Sequence, residues 1–178
     1  MRGQFVREKL QGHGAAQLDV LRYDDRTHFI YELLQNAEDA LARRAGLSGA
    51  RAVQFHLGPD MLRLSHYGKP FDDRDIRGIC GIAESTHHRT AIGRFGIGFK
   101  SVYAYTARPE VHSGHEDFAI ESFVWPTASP QIARDPDETV IALPLNAGPI
   151  TARAEIAKGL QRLGPGTLLF LREIEEIE

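Results

Sequence analysis

The sequence predicts an α+β fold, a two-layer sandwich in which helices cover one face of a mixed, mostly antiparallel β-sheet. Segments with helical periodicity are concentrated early in the chain, and short strand-like segments dominate its later part. The 178 residues, 42% hydrophobic and 25% charged, suit one ordinary globular domain. We therefore expect residues 1–178 to form a single domain, the N-terminal module of a longer protein.

The strongest predicted helix extends from about Asp24 to Ala45. Its apolar residues recur at helical spacing and share one face; they are Phe29, Ile30, Leu33, Leu34, Ala37, Ala40 and Leu41. Gly46 supplies a C-terminal stop signal. A shorter helix is predicted upstream, over Phe5–Gln11.

Two strands are predicted next, at Arg51–Leu57 and Met61–Ser65. The intervening Gly58–Asp60 has the composition of a tight turn. The two segments should therefore form a β-hairpin.

A short helix capped by Asp72 or Asp73 is expected to run to about Ile79. The following stretch, Gly81–Gly98, has no periodicity and is predicted to be a long loop. Loops of this length inside a compact domain are usually functional or disordered. A further helix is predicted over Phe99–Thr106.

The later part of the chain is predicted to consist mainly of strands. A helix, roughly Thr151–Leu163, is expected between the last two of them, and Trp125-Pro126 is expected to close a strand. The predicted strands are Glu110–Ser113, Phe118–Val124, Thr139–Leu143 and Thr167–Leu171.

Composition limits the classes of function. The net charge of −3 gives no bulk attraction to nucleic acid. No run of about 18 apolar residues indicates a membrane span, and Met1–Phe5 lacks the apolar stretch of a signal peptide. The single cysteine, Cys80, fits a reducing compartment. These features predict a cytoplasmic protein.

The long helix carries a polar stripe beside its apolar face. Glu32, Asn36 and Asp39 fall at i, i+4 and i+7. One interpretation is a solvated flank in which Asp39 pairs with Arg43. The other is a set of ligands facing one cleft, since a carboxylate can orient a water molecule and an amide oxygen can bind Mg²⁺.

A glycine-rich stretch, Gly93–Ser101, precedes the predicted helix at Phe99. Glycines allow close approach of the backbone to a phosphate, and a helix N-terminus offers free N–H groups. Lys100 and Ser101 would lie in the first turn. The stretch is not a P-loop, because Lys100 does not directly follow its last glycine, and it is not the dinucleotide-binding motif, because its glycine order is G-x-x-G-x-G. Taken alone, it could also be a flexible loop closed by a helix.

The two motifs together resemble the first and the glycine-rich ATP-binding boxes of the gyrase, heat-shock chaperone, histidine kinase and MutL (GHKL) superfamily. This resemblance implies the Bergerat ATP-binding fold. It implies that Glu32 is the general base for hydrolysis, that Asn36 binds Mg²⁺, and that Asp39 occupies a nearby position of the helix box. Glu84–Thr90 would form a mobile lid. The glycines of the second box are implied to wrap the phosphates of ATP. The cofactor-binding residues implied in this box are Gly93, Arg94, Phe95, Gly96, Ile97, Gly98, Phe99, Lys100 and Ser101.

The middle box departs from the superfamily pattern. That box usually has an Asp two residues before a glycine, and the Asp accepts a hydrogen bond from the adenine amino group. Here His66 occupies the Asp position before Gly68. A neutral imidazole nitrogen can accept a hydrogen bond but carries no negative charge. His66 is thus either a base-binding residue or a core histidine without a ligand role.

The segment around Gly68-Lys69-Pro70-Phe71 looks most similar to the divergent sacsin-like branch of the superfamily. The resemblance implies a Mg²⁺-dependent, slow, chaperone-like or switch ATPase. Implied partners are ATP or ADP, downstream domains of the same chain and a second copy in a nucleotide-dependent homodimer. The alternative is a nucleotide-sensing or degenerate binding module without hydrolysis. A histidine kinase is a weaker option, since only about twenty residues precede the long helix.

The histidines and the cysteine of the chain show no recognised pattern of a catalytic or metal-binding site. The eight histidines include His87-His88 and the pair in His112–Glu116, neither of which has the H-E-x-x-H spacing of a zinc helix. Cys80 has small and apolar neighbours and is predicted to be buried rather than nucleophilic. Neither pattern predicts a site.

Overall fold

The computed structural model describes residues 26–44, 46, 49–81, 98–146 and 149–178. The predicted helix at Phe5–Gln11 and the predicted lid at Glu84–Thr90 lie outside these residues. Gly93–Ile97 of the glycine-rich stretch also lie outside them, whereas its last four residues are described.

Helix α1 spans Phe29–Ala42 and follows a single 3-10 turn, Arg26–His28. All seven apolar residues predicted for its buried face are at most 3% exposed. The helix therefore packs against the rest of the domain as its periodicity indicated. Gly46 lies beyond its end with φ of +80°, a backbone conformation that favours glycine.

Strands β1 (Ala52–Leu57) and β2 (Met61–His66) form the predicted antiparallel hairpin. Its turn closes through a hydrogen bond from the Gly58 N–H to the Met61 carbonyl oxygen. Helix α2 (Asp73–Ile79) follows, and Asp72 is its N-cap, as predicted.

The later strands complete a seven-stranded mixed sheet of order β5-β4-β3-β6-β2-β1-β7. The β1–β7 pair is parallel, and the other neighbouring pairs are antiparallel. The strand bounds are β3 Glu110–Ser113, β4 Glu116–Glu121, β5 Trp125–Ala128, β6 Thr139–Pro144 and β7 Glu176–Ile177.

Two helices, α3 (Pro149–Leu160) and α4 (Pro165–Leu168), follow β6. The predicted strand at Thr167–Leu171 is wrong, because Pro165 starts a helical turn at this place and leaves Phe170 88% exposed. The predicted α-helix after Phe99 is instead a 3-10 helix over Lys100–Ala104. Trp125-Pro126 opens strand β5, and this edge position tolerates a proline.

One hydrophobic core joins the helices to the sheet. Residues from α1, α2 and α3 pack with residues from strands β1 to β4 and β6. This arrangement is the expected α+β two-layer sandwich. Among the described residues, no helix combines the length and the apolar composition that crossing a membrane would need.

Candidate functional site

The side chain of Glu32 meets the end of the glycine-rich stretch. A methyl group added at Gly98 would collide with Oε2 of Glu32 and would lie 2.6 Å from its Cδ. The other carboxylate oxygen, Oε1, lies 3.5 Å from Nε2 of His28, one helical turn earlier. Two motifs that are 66 positions apart in sequence are therefore in contact, and only a glycine fits at position 98 while Glu32 keeps this rotamer.

Asn36 lies one turn after Glu32, on the same side of α1. Its side chain is half-buried. Within the described part of the chain, no hydrogen bond engages its amide group. The amide oxygen is thus available as a hard ligand, and with the Glu32 carboxylate it fits the donor set that Mg²⁺ prefers.

Asp39 lies on the same flank and is half-buried. Its Oδ1 accepts a hydrogen bond from Nε2 of Gln35 at 3.2 Å. Nε of Arg43 donates to the Asp39 carbonyl oxygen at 3.3 Å, and Nη1 of Arg43 pairs with Oδ1 of Asp75 at 2.9 Å. Arg43 therefore links α1 to α2 through a carboxylate that the sequence analysis had not assigned to it.

His66, the last residue of β2, is 2% exposed. Burial lowers the pKa of its imidazole to about 4, so the ring is neutral at pH 7. Nδ1 accepts a hydrogen bond from the Gly68 N–H at 3.0 Å. Because a neutral imidazole has one N–H and one acceptor, we assign the proton to Nε2.

Gly68 brings this turn against the backbone of α1. A methyl group at Gly68 would lie 2.6 Å from Cβ of Ala40, and the Lys69 N–H donates to the Ala40 carbonyl oxygen at 2.8 Å. Ala40 is one turn beyond Asn36 and two turns beyond Glu32. Gly98 and His66 thus lie at opposite ends of one helical stripe, about 12 Å long at 1.5 Å per residue.

The turn that follows His66 is fixed by charged groups. The Lys69 ammonium donates to the Asp72 carboxylate and, with the backbone N–H groups that Asp72 caps, lowers the pKa of that carboxyl to about 2. Asp75 closes the capping box by accepting from the Asp72 N–H at 3.2 Å. This network holds the turn between β2 and α2 in place.

The residues after Gly98 are only partly available to a ligand. Phe99 is fully buried in the core, so only its backbone could meet one. The Ser101 hydroxyl donates to the Gly98 carbonyl oxygen at 2.6 Å. Nζ of Lys100 lies beside Gly81, 2.7 Å from where a methyl group would stand.

A model of the sacsin domain matches residues 18–122, more than half of the chain. The chain belongs to the sacsin domain family. The matched range includes every candidate residue from Glu32 to Ser101. This sacsin-family domain is also 32% identical over 116 residues to Protein NO VEIN of Arabidopsis thaliana. That match covers 61% of this chain and 4% of the length of the plant protein.

Glu38 of the sacsin-family domain has a structural role that the sequence analysis missed. Its carboxylate, in a side chain 8% exposed, accepts hydrogen bonds from the backbone N–H groups of Arg172, Glu173 and Ile174. The segment leading to β7 is thereby attached to α1. No local signal could have identified Glu38, because its three donors are more than 130 positions away.

The remaining histidine and cysteine patterns form no metal site among the described residues. His112 is fully buried and its Nδ1 lies 2.8 Å from Oδ1 of Asp117, whereas His115 is exposed. Cys80 is buried as predicted, and burial raises the pKa of its thiol to about 11. His87-His88 lie outside the described residues.

A cavity of about 480 Å³ opens on another flank of α1. It is lined by residues that include Tyr31, Leu34, Gln35 and Phe170. Glu32, Asn36 and His66 do not line it. Since its lining is mainly apolar and lacks a carboxylate, the polar stripe of α1 is the better candidate for chemistry.

Proposed function

We propose that this sacsin-family domain binds ATP with Mg²⁺ along the α1 stripe and hydrolyses it slowly, as a chaperone-like or conformational-switch ATPase. The observation that carries the proposal is the contact between Glu32 and Gly98. It brings a carboxylate to the place where a glycine-rich segment ends, which is where a terminal phosphate would be held.

Each residue has a defined task in this proposal. Glu32 orients and deprotonates the water that attacks the γ-phosphate. The Asn36 amide oxygen would hold Mg²⁺, which when bound would neutralise charge on the phosphates. Backbone N–H groups around Gly98 would bind the phosphate oxygens, and His66 would meet the base. The partners of the sacsin-family domain would include downstream domains of a longer chain and a second copy in a nucleotide-dependent dimer.

The alternative is a domain that binds nucleotide without hydrolysing it. The substitution of His66 for the expected carboxylate favours this alternative, because it changes how the base is held. The presence of both Glu32 and Asn36 favours hydrolysis, since a binding switch has no need of a general base.

Calorimetry with ATP and ADP in the presence of Mg²⁺ tests the proposal. Wild type should bind in the micromolar range, and Asn36→Ala should lose the Mg²⁺-dependent part of the affinity. Asn146→Ala, which alters an exposed asparagine after β6, is the matched control and should bind as wild type does. Wild-type binding that is absent, or unchanged in Asn36→Ala, would reject the site.

Hydrolysis is tested separately by single-turnover assays. Glu32→Gln keeps the size of the side chain and should retain binding while lowering turnover by about 10²- to 10⁴-fold. Equal turnover in wild type and Glu32→Gln, with binding intact, would favour the alternative without hydrolysis.

A further inference from the structure

Two short segments of the domain are joined to each other at both ends. The 26–32 segment contains a 3-10 turn and the start of α1, and the 98–104 segment contains the end of the glycine-rich stretch and the 3-10 helix after it. At one end, Glu32 contacts Gly98. At the other end, Nη2 of Arg26 donates to the Ala104 carbonyl oxygen at 3.1 Å. The two segments are therefore antiparallel, and the two contacts are six residues apart along each of them.

The Arg26 side chain is held in place by groups from other parts of the fold. Its Nη1 lies 3.3 Å from Oε2 of Glu155 on α3, and its guanidinium carbon lies 5.0 Å from the centre of the Tyr105 ring. The Tyr105 hydroxyl donates to the same Oε2 at 2.9 Å. The Tyr105 ring also packs on Phe29, the first residue of α1, with ring centres 5.2 Å apart. Arg26 can make its contacts together because the donors of a guanidinium are fixed in a planar fork.

The 98–104 segment connects the Arg26 contact to Gly98. The Ser101 hydroxyl donates to the Gly98 carbonyl oxygen at 2.6 Å, which ties Gly98 to the 3-10 helix. Phe99 and Val102 are fully buried and determine how closely the segment packs on the core. Apolar packing is non-directional, so it specifies this separation better than the register along α1. A directional bond at the far end of the segment is what specifies the register.

We propose that Arg26 is a positioning residue for the candidate site. By holding the far end of the 98–104 segment, it determines where Gly98 lies beside Glu32. This inference rests on the proposed function, in which that contact serves hydrolysis. The side chains of Arg26 and Glu155 are 49% and 37% exposed, and ion pairs of this kind contribute little to stability. A shift of about 1 Å at a reacting group can lower a rate by about 10²-fold, so turnover should depend on Arg26 more than folding does.

The first test follows Gly98 in the absence of nucleotide, through the chemical shift of its backbone amide in ¹⁵N NMR spectra. Arg26→Gln should move this resonance, and Arg26→Lys should return it part of the way, because an ammonium keeps the charge without the fork. Arg51→Gln is the matched control, since Arg51 is 41% exposed and pairs with Glu173 at 2.8 Å; it should leave the resonance in place. An unmoved Gly98 resonance in folded Arg26→Gln would overturn the inference, whether or not the domain binds ATP.

The second test separates positioning from stability. Arg26→Gln should hydrolyse Mg²⁺-ATP about 3- to 30-fold more slowly in single-turnover assays, with nearly unchanged affinity. Its midpoint of urea unfolding should fall by less than about 0.5 M. Glu155→Gln removes the charge that holds the guanidinium and should change the turnover and the Gly98 resonance in the same direction, by less. Wild-type turnover in both variants would overturn the inference and leave the proposed function standing. A wild type that does not hydrolyse ATP would reject hydrolysis, and the Gly98 resonance would then decide the role of Arg26.

Discussion

Replacement of Gly98 by alanine gives the sharpest test of the Glu32 contact. The added methyl group would lie 2.6 Å from Cδ of Glu32. The atoms that it meets belong to the far end of a flexible side chain, so the carboxylate moves and the backbone stays. In a helix, alanine stabilises the folded state by up to about 1 kcal/mol relative to glycine. A Glu32 side chain forced off its rotamer destabilises the folded state by about 0.5–1.5 kcal/mol. The free energy of unfolding should therefore change by less than about 1 kcal/mol.

Turnover should respond much more strongly. Restoring an ordinary contact of 3.4 Å from 2.6 Å requires a shift of about 0.8 Å at Cδ, and the carboxylate oxygens must move further. Misplacement of a reacting group by about 1 Å can lower a rate by about 10²-fold. We expect Gly98→Ala to bind Mg²⁺-ATP within about threefold of wild type and to hydrolyse it about 10- to 100-fold more slowly.

The assays are calorimetry, single-turnover hydrolysis and urea unfolding. The control is Gly98→Ala made in the Glu32→Ala variant. There the new methyl group meets no carboxylate, so the substitution should raise the free energy of unfolding by the full helical preference of alanine over glycine. Wild-type turnover in Gly98→Ala would refute the argument. So would a loss of stability above about 2 kcal/mol, since it would mean that the backbone had moved.

Three further predictions concern stability. Glu38→Ala leaves three backbone N–H groups without their acceptor and should lower the free energy of unfolding, measured by urea titration, by about 3 kcal/mol. Glu38→Gln should be intermediate. A loss below about 1 kcal/mol in Glu38→Ala would show that water replaces the carboxylate. Burial lowers the pKa of His66 from its ordinary 6.5 to about 4. The free energy of unfolding should therefore fall by roughly 3 kcal/mol as the pH drops from 6.5 to 4, and urea titrations of His66→Asn should lack that slope. Asp72 has a lowered pKa of about 2, so its contribution to the free energy of unfolding is present above about pH 4 and is lost toward pH 2. If Asp72→Asn loses stability between about pH 4 and pH 2 as steeply as wild type does, this prediction is wrong.

Local features of the fold were predicted well because local interactions determine them. The apolar face of α1, the β1–β2 hairpin and the Asp72 cap each depend on neighbours within a few positions. The strand predicted at Thr167–Leu171 failed because apolar residues were weighed without the helix-starting Pro165. The parallel β1–β7 pair could not be predicted, since it joins residues more than 120 positions apart.

The residues of the candidate site were predicted from the sequence, but the contacts between them in space were not. Spacing placed Glu32 and Asn36 on one side of α1, and this requires only helical geometry. The contact of Glu32 with Gly98 depends on tertiary packing, so no spacing rule gives it. The same holds for the tautomer of His66, which depends on the turn to Gly68.

Helix α1 also carries contacts to two separate parts of the structure, made by two different glutamates. Glu32 and Glu38 are six residues apart, which at 3.6 residues per turn puts them about 120° apart around the helix. The first meets Gly98 and the second holds the strand segment before β7. Any rotation of the helix that accompanies a change at Gly98 therefore pulls on the 172–174 segment, and through it on the edge of the sheet.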